Sequence, residues 1–232
     1  MADHHTGNFL LDGLAANELQ HLLPRLTKTS LVQKQSLNMP GEVIEQVYFP
    51  TSAVASIIAT PDEGAAVEVG VIGREGLIGT PILLGSETAS NEAYVQIAGT
   101  ALQMPTSTLL DAAEQNRGLR RRLLRFAQAL SFQISQSAAC NARHVIEERC
   151  ARWLLAAQDR VGGDQLALTH EFLGIMLGVR RAGVTVAAGM LQQAGLISYR
   201  QGRITILDRE GLEAAACGCY RAIKNEYDRL AA

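Results

Sequence analysis

Residues 168–185 read LTHEFLGIMLGVRRAGVT. Thr169 is a favourable N-cap residue and Glu171 places a negative charge in the following turn, so a helix is predicted to begin here. Gly178 supplies a turn, and a second helix is predicted from about Arg180 to Ala194. Two short helices joined by a glycine-containing turn form a helix-turn-helix, whose second helix presents its N-terminal residues to the major groove of DNA.

The next segment, residues 196–206, reads LISYRQGRITI. Two alternating runs about Gln201-Gly202 predict a β-hairpin, the wing of a winged helix, with Arg200 and Arg203 near its tip and within reach of phosphates. For Arg180 and Arg181 the alternative is contact with phosphate or solvent only. The predicted DNA-binding residues are Thr169, Arg180, Arg181, Thr185, Arg200 and Arg203.

The charge distribution indicates that a polyanion would bind the C-terminal half of the chain. Residues 1–115 contain four basic and thirteen acidic side chains, a balance of −9, whereas residues 116–207 contain thirteen arginines and five acidic residues, a balance of +8. The formal net charge of −2 hides this asymmetry. Phosphate neutralisation depends on local cations, so double-stranded DNA is expected to meet the second half.

The N-terminal half has a different periodicity. From Thr29 to Met104 short apolar or alternating runs are separated by Gly and Pro turns, which predicts an antiparallel sandwich or barrel. From Thr106 a helical period follows. Its apolar stripe has coiled-coil spacing and predicts a dimer interface, with packing on its own domain as the alternative. The stripe consists of Leu119, Leu123, Phe126, Leu130 and Ile134.

The order of these elements resembles the Crp/Fnr (cAMP receptor protein) family. The resemblance is carried by residues 168–174 (LTHEFLG), Gly178 and residues 190–197 (MLQQAGLI). It implies an α+β chain with an N-terminal antiparallel β-sandwich or barrel like a cyclic-nucleotide-binding domain, a long dimerisation helix and a C-terminal winged helix-turn-helix. The expected boundaries are 1–115, 116–140 and 141–232. The resemblance further implies a homodimer on a palindromic operator, a small-molecule effector, and RNA polymerase as a partner.

Residues 73–85 resemble the phosphate-binding cassette of that family, a Gly-rich loop that leads into a short helix. The cassette needs a carboxylate for the ribose and an Arg for the phosphate, and Thr80 and Asn91 stand at those places. Cyclic AMP is therefore not the expected effector, because a charge-assisted bidentate pair is missing. The candidate effector residues are Arg74, Gly79, Thr80 and Asn91.

No metal or cofactor is expected. Cys217 and Cys219 are predicted to lie in one helix, where their side chains diverge by about 200°, so that geometry is poor for sharing a metal ion. Cys140 and Cys150 are either redox-active or inert buried thiols. With no leader and no apolar run of about 20 residues, a reduced, cytoplasmic protein is expected.

Two other classes of function have less support. No Ser/His/Asp, Cys/His or carboxylate constellation has usable spacing, so an enzyme is not expected. The alternative to a DNA-binding regulator is a signalling or scaffold protein whose winged helix no longer binds DNA. The apolar second helix of the helix-turn-helix and the helical C-terminus, from about Arg209 to Leu230, give that alternative its support.

Overall fold

The computed structural model describes residues 5–61 and 66–231, the last of them by its backbone only. The first half contains short helices and antiparallel strands. Its elements are α1 (Phe9–Asp12), α2 (Ala16–Leu22), β1 (Thr27–Leu31), β2 (Ser36–Asn38), β3 (Gln46–Pro50), β4 (Val54–Ala59), β5 (Val67–Ile72), β6 (Glu92–Ile97), β7 (Gly99–Pro105) and α3 (Thr106–Gln115), with 3₁₀ turns at Leu23–Arg25 and Thr80–Leu84.

The second half is mainly helical. Its elements are α4 (Arg117–Arg143), α5 (Ile146–Val161), β8 (Gln165–Ala167), α6 (His170–Leu177), α7 (Arg181–Gln193), β9 (Ile197–Arg200), β10 (Arg203–Ile206), α8 (Arg209–Ala215) and α9 (Cys219–Ala231). No single described helix is long and apolar enough to cross a membrane. The pair α6 and α7 reaches that length and composition only when taken together, and it is bent by 102°.

Three sheets organise the strands. Two belong to the first half, in the orders β1-β7-β3 and β2-β6-β4-β5, and the third has the order β8-β10-β9. β7 pairs antiparallel with both β1 and β3, and its inward side chains, such as Ala101 and Met104, are buried. The antiparallel N-terminal sheets, the long helix and the C-terminal helix-turn-helix confirm the predicted α+β fold class.

The chain forms two compact units. One contains the described residues of Met1–Ile57, Val71–Phe132 and Glu226–Ala232, and the other those of Ile58–Gly70 and Gln133–Asn225. Within the second unit, Nε1 of Trp153 donates a hydrogen bond of 2.8 Å to the carboxylate of Glu68. The sequence-based boundaries near residues 115 and 140 stay a prediction.

The predicted dimer stripe on α4 is corrected by the structure. Four of its members, Leu119, Leu123, Phe126 and Leu130, are buried within a single chain, and Ile134 is half-buried. A Cβ placed on Gly76 would lie 2.3 Å from the Phe126 ring, which shows how closely the Gly76 loop packs on this part of α4 within the first unit. The stripe therefore forms core, because packing on its own domain and packing on a partner helix require the same spacing.

The predicted single C-terminal helix is also wrong. α8 ends at Ala215 and α9 begins at Cys219, with Ala216 in an extended conformation between them. The helical divergence expected of Cys217 and Cys219 therefore does not apply. Both thiols are buried and pack against Cys140.

Two residues of α4 separate core from surface. Phe126 has no exposed area and Leu124 is 41% exposed. Phe126→Ala is expected to lower the free energy of unfolding by about 3–5 kcal/mol, because it leaves a cavity in the core of the first unit. Leu124→Ala is expected to change it by less than about 1 kcal/mol. Chemical denaturation of both variants checks this expectation, and equal losses would contradict the burial of the stripe.

Candidate nucleic-acid interface

The start of α6 is set by Thr169, as predicted. Its backbone is extended, with φ −91° and ψ 157°, and its Oγ1 accepts a hydrogen bond of 3.2 Å from the amide of Phe172. This contact satisfies one of the amides that the first turn of a helix leaves without a partner. An accepting hydroxyl retains its own proton, so exposed Thr169 can still donate to a phosphate.

The turn between α6 and α7 depends on two glycines. Gly178 ends α6 in the left-handed region, at φ 61° and ψ 38°. At Gly174 a Cβ would lie 2.9 Å from the carbonyl oxygen of Val179, so a side chain there would collide with the turn. The resulting bend of 102° between the helices lies in the range of a helix-turn-helix.

α7 has one buried face and one exposed end. Val184, Ala187, Ala188 and Leu191 face the core of the unit. Arg180 is the N-cap residue, although its side chain does not cap the helix, and Arg181 occupies the first turn. Arg180, Arg181 and Thr185 are all exposed. The structure thus brings three of the predicted residues together at the N-terminal end of the second helix.

The hairpin of β9 and β10 carries the other two arginines. Arg200 and Arg203 are cross-strand partners and are both exposed. Gln201 and Gly202 between them have φ values of 48° and 75°, the pattern of a tight hairpin turn. The carbonyl of Gly202 accepts a hydrogen bond of 2.8 Å from the amide of Leu168, which ties the hairpin tip to the residue before the α6 cap.

His170 is a site residue that the sequence reasoning missed. Its Nδ1 lies 3.1 Å from Oγ1 of Thr185, and its ring stacks on that of Tyr199 with centroids 4.1 Å apart. Oγ1 of Thr185 donates to the carbonyl of Arg181, so the ring proton belongs on Nδ1. His170 therefore connects α6, α7 and the hairpin. No sequence spacing relates His170 to Tyr199, so this contact becomes visible only in the three-dimensional structure.

The environment of His170 keeps its ring neutral. Burial, and then the positive charge of Arg181, lower the pKa of His170 from its ordinary value. Nε2 is buried and has no hydrogen-bond partner among the described residues. Protonation would therefore place a charged N–H group where it cannot be solvated.

The candidate effector residues do not form a comparable group. The hydroxyl of buried Thr80 donates to the carbonyl of Leu77 at 3.0 Å, and Gly79 precedes the 3₁₀ turn at φ 106°. The Arg74 guanidinium lies 4.8 Å from the centre of the Phe9 ring. Asn91 is half-buried just before β6. Their assignment to an effector stays a prediction.

Comparison with known proteins identifies the helix-turn-helix. Residues 148–215 match the model of the Crp-like helix-turn-helix domain. FixK2 from Bradyrhizobium japonicum is 19% identical, with a TM-score of 0.71 over 83% of this chain and 98% of that chain. Residues 148–215 are therefore a Crp-like helix-turn-helix domain, and the chain shares the fold of FixK2. This confirms the resemblance and the helix-turn-helix expected from residues 168–185.

Two other solved structures share the fold of this chain. A putative transcriptional regulator of the Crp/Fnr family from Eubacterium rectale is 15% identical, with a TM-score of 0.68 over 91% of this chain and 99% of that one. The c-di-GMP-responsive global regulator CLP from Xanthomonas campestris is 19% identical, with a TM-score of 0.65 over 83% and 99%. A search of curated proteins gives no match. These family and fold neighbours are transcription regulators, which are not enzymes.

The lowered pKa of His170 predicts a pH dependence of stability. The folded chain binds a proton at His170 more weakly than the unfolded chain does. This contribution to stability is therefore complete above the unfolded pKa of about 6.5 and is lost as the pH falls below it. His170→Phe keeps a ring on Tyr199 and removes the titration, so its unfolding free energy is expected to fall less between neutral pH and about pH 5.5.

His21 provides the control, because it is exposed on α2 in the other unit. His21→Gln is expected to leave the pH dependence as in the wild type. Denaturation curves at each pH measure the effect, and an unchanged slope in His170→Phe would contradict the assignment.

Proposed function

We propose that this protein is a cytoplasmic, homodimeric transcription regulator that binds a palindromic operator with sequence specificity. In this proposal α7 enters the major groove and the hairpin lies along the neighbouring backbone. The observation that carries it is the joint exposure of Arg181 and Thr185 on α7 and Arg200 and Arg203 on the hairpin. These residues belong to elements that His170 and Gly202 connect, within a Crp-like helix-turn-helix domain.

The two sets of arginines would have different roles. Arg181 lies on the first turn of α7, where its guanidinium can reach O6 and N7 of a guanine. Arg200 and Arg203 flank a hairpin tip, a position suited to phosphates, which carry no sequence information. Arg180 and Thr185 complete the polar set on α7, and Thr169 adds a donor at the start of α6.

This difference predicts two kinds of mutant. Arg181→Ala is expected to cost about 1–3 kcal/mol per contacted half-site on the cognate operator and to relax preference at one base pair. Arg203→Ala is expected to weaken binding to cognate and random DNA alike. It should also reduce the slope of log affinity against log salt concentration by about one for each phosphate that Arg203 neutralises. The operator is first selected from a random duplex pool, and binding is then titrated at several salt concentrations.

Arg221→Ala is the matched control, because Arg221 is exposed on α9 away from the helix-turn-helix. It should change neither the affinity nor the salt slope. The same uniform loss in Arg181→Ala and Arg203→Ala would make Arg181 a phosphate clamp and leave sequence reading to Arg180, Thr185 or DNA deformability. If neither mutation matters, the scaffold hypothesis replaces the proposal.

The dimer is assigned here to the exposed face of α4. Because the first stripe is buried, a partner helix would meet the residues on the opposite side. They repeat at the alternating spacings of four and three that a two-stranded coiled coil uses, with Leu124 as the large apolar side chain and polar side chains at three of the five positions. They are Leu124, Gln128, Ser131, Ser135 and Ala138.

Sedimentation tests this interface. The wild-type chain at micromolar concentration is expected to give about twice its mass of 25.0 kDa. Leu124→Asp is expected to shift the equilibrium to monomer, because it replaces the one large apolar contact of each helix with a carboxylate and places two like charges close together. Val32→Asp changes a side chain that is also exposed, on the surface of the first unit, and should remain dimeric. A wild-type monomer that still binds a palindrome tightly would exclude the dimer proposal.

The effector is proposed to be a small molecule other than cyclic AMP. Thr80 offers a ribose hydroxyl only a neutral acceptor, because its proton is donated to the carbonyl of Leu77 and its oxygen carries no negative charge. Asn91 carries no charge for a phosphate. Without a fixed cation opposite the phosphate, a cyclic nucleotide would lack its strongest hydrogen-bonded contact.

A further inference from the structure

Four potential metal ligands meet in the second unit. They are Cys140, His144, Cys217 and Cys219, and their ligand atoms all lie within 4.8 Å of one another. Sγ of Cys140 lies 3.4 Å from Sγ of Cys217, and Sγ of Cys219 lies 3.5 Å from Nδ1 of His144. The three cysteines are buried and the histidine is half-buried.

The chain brings these residues together from two places. Cys140 lies in the last turn of α4, and His144 follows it by four residues, which places both side chains on one side of the chain. Cys217 and Cys219 come from the break between α8 and α9. Ala216 is extended there, at φ −79° and ψ 148°, so Cys217 is not held in the helical spacing that would turn it away from Cys219.

We propose that Cys140, His144, Cys217 and Cys219 bind a single zinc ion. None of the residues proposed to contact DNA or an effector is a ligand of this site. It replaces the expectation that the chain binds no metal, which rested on a continuous helix through residues 217–219.

The geometry suits zinc. Zinc takes four N or S ligands in a tetrahedron, with Zn–S of about 2.3 Å and Zn–N of about 2.0–2.1 Å, so neighbouring ligand atoms lie about 3.5–3.8 Å apart. The separations of 3.4 Å and 3.5 Å fall near this spacing. Thiolate and imidazole are soft to borderline ligands that favour zinc over magnesium or calcium. Separations of at most 4.8 Å fit one ion better than a cluster of several irons, which spreads its cysteines more widely.

The surroundings complete the site. Nε2 of Gln136 donates a hydrogen bond of 3.2 Å to Sγ of Cys219, the kind of outer contact that orients a metal ligand. Three thiolates and one Zn²⁺ carry a net charge of −1. The guanidinium of Arg152, itself buried, acts electrostatically on Cys140 and offsets that charge. With four protein ligands there is no open position for substrate, so the site is structural rather than catalytic.

The proposed ion would cross-link the C-terminal end of α4 to the segment between α8 and α9. Cys140 and Cys217 are 77 residues apart, and the chain between them contains α5 and the whole helix-turn-helix. Closing so long a loop stabilises the folded state through the chain entropy that it removes from the unfolded state. Zinc would thereby stabilise the unit that carries the DNA-binding residues.

Metal analysis of the tag-free, full-length chain tests the proposal. The chain purified under reducing conditions is expected to hold about one zinc per molecule. Stripped of metal and titrated with Co²⁺, it should show the intense visible bands of tetrahedral cobalt and thiolate charge transfer, and Zn²⁺ should abolish them. Cys140→Ser, Cys217→Ser and Cys219→Ser should each lower the zinc content to less than about a tenth.

Three variants separate ligation from folding. Cys150→Ala is the matched control: Cys150 is fully buried, and burial raises the pKa of its thiol to about 12, so it stays protonated. This variant should keep its zinc. His144→Cys preserves a four-ligand set and should retain the metal, whereas His144→Ala should bind it at least tenfold more weakly.

Several outcomes would overturn the proposal. One is a reduced wild-type chain that takes up neither zinc nor tetrahedral cobalt. Another is a Cys140–Cys217 disulfide in that reduced chain, detected by mass analysis of its peptides. A third is zinc content that survives the loss of any two of the three cysteines. Because the wild-type spectrum needs no variant, a mutant that fails to fold does not remove the test.

Discussion

The close backbone approach at Gly174 is the constraint on which the helix-turn-helix depends. The amide of Val179 donates a hydrogen bond of 2.9 Å to the carbonyl of Gly174, and the missing Cβ leaves room for the carbonyl oxygen of Val179, which a Cβ would meet at 2.9 Å. Gly178, at φ 61°, turns the chain between these contacts. A side chain at Gly174 would push the turn outward and change the direction of α7. The exposed arginine at the start of α7 is useful only because this direction is fixed.

The helix α5 supports that arrangement with buried arginines. Arg149 donates to the carbonyl of Leu177, the last residue of α6, while Arg160 donates to Oε1 of Gln133 at 3.0 Å. A guanidinium removed from water is tolerated only when its N–H groups find such partners. Part of the positive charge of this half therefore holds the domain together. A charge count along the sequence cannot separate these arginines from those that face outward.

The sequence predicted most where a local signal decides the structure. Thr169, Gly178 and Gln201-Gly202 each fix a cap or a turn within a few residues, so the helix-turn-helix and the hairpin were predicted close to their observed bounds. The stripe on α4 was assigned to the wrong partner, because spacing reports which face is buried and not what covers it. The cysteines were misread for a related reason. A helix break at Ala216 moves Cys217 next to Cys140, and only long-range packing reveals that contact.

The apolar surface of α7 decides between the two classes of function. Val186 and Met190 are 59% and 53% exposed, and such side chains suit either the methyl groups of thymines or another protein. A protein partner would explain these two residues alone. It would not explain why arginines stand both at the start of the same helix and at the tip of the hairpin. A DNA duplex explains both, because its groove presents methyl groups between two rows of phosphates. In the proposed complex the exposed apolar residues belong to the same surface as the arginines, and they would add contacts in the groove where α7 has few polar side chains.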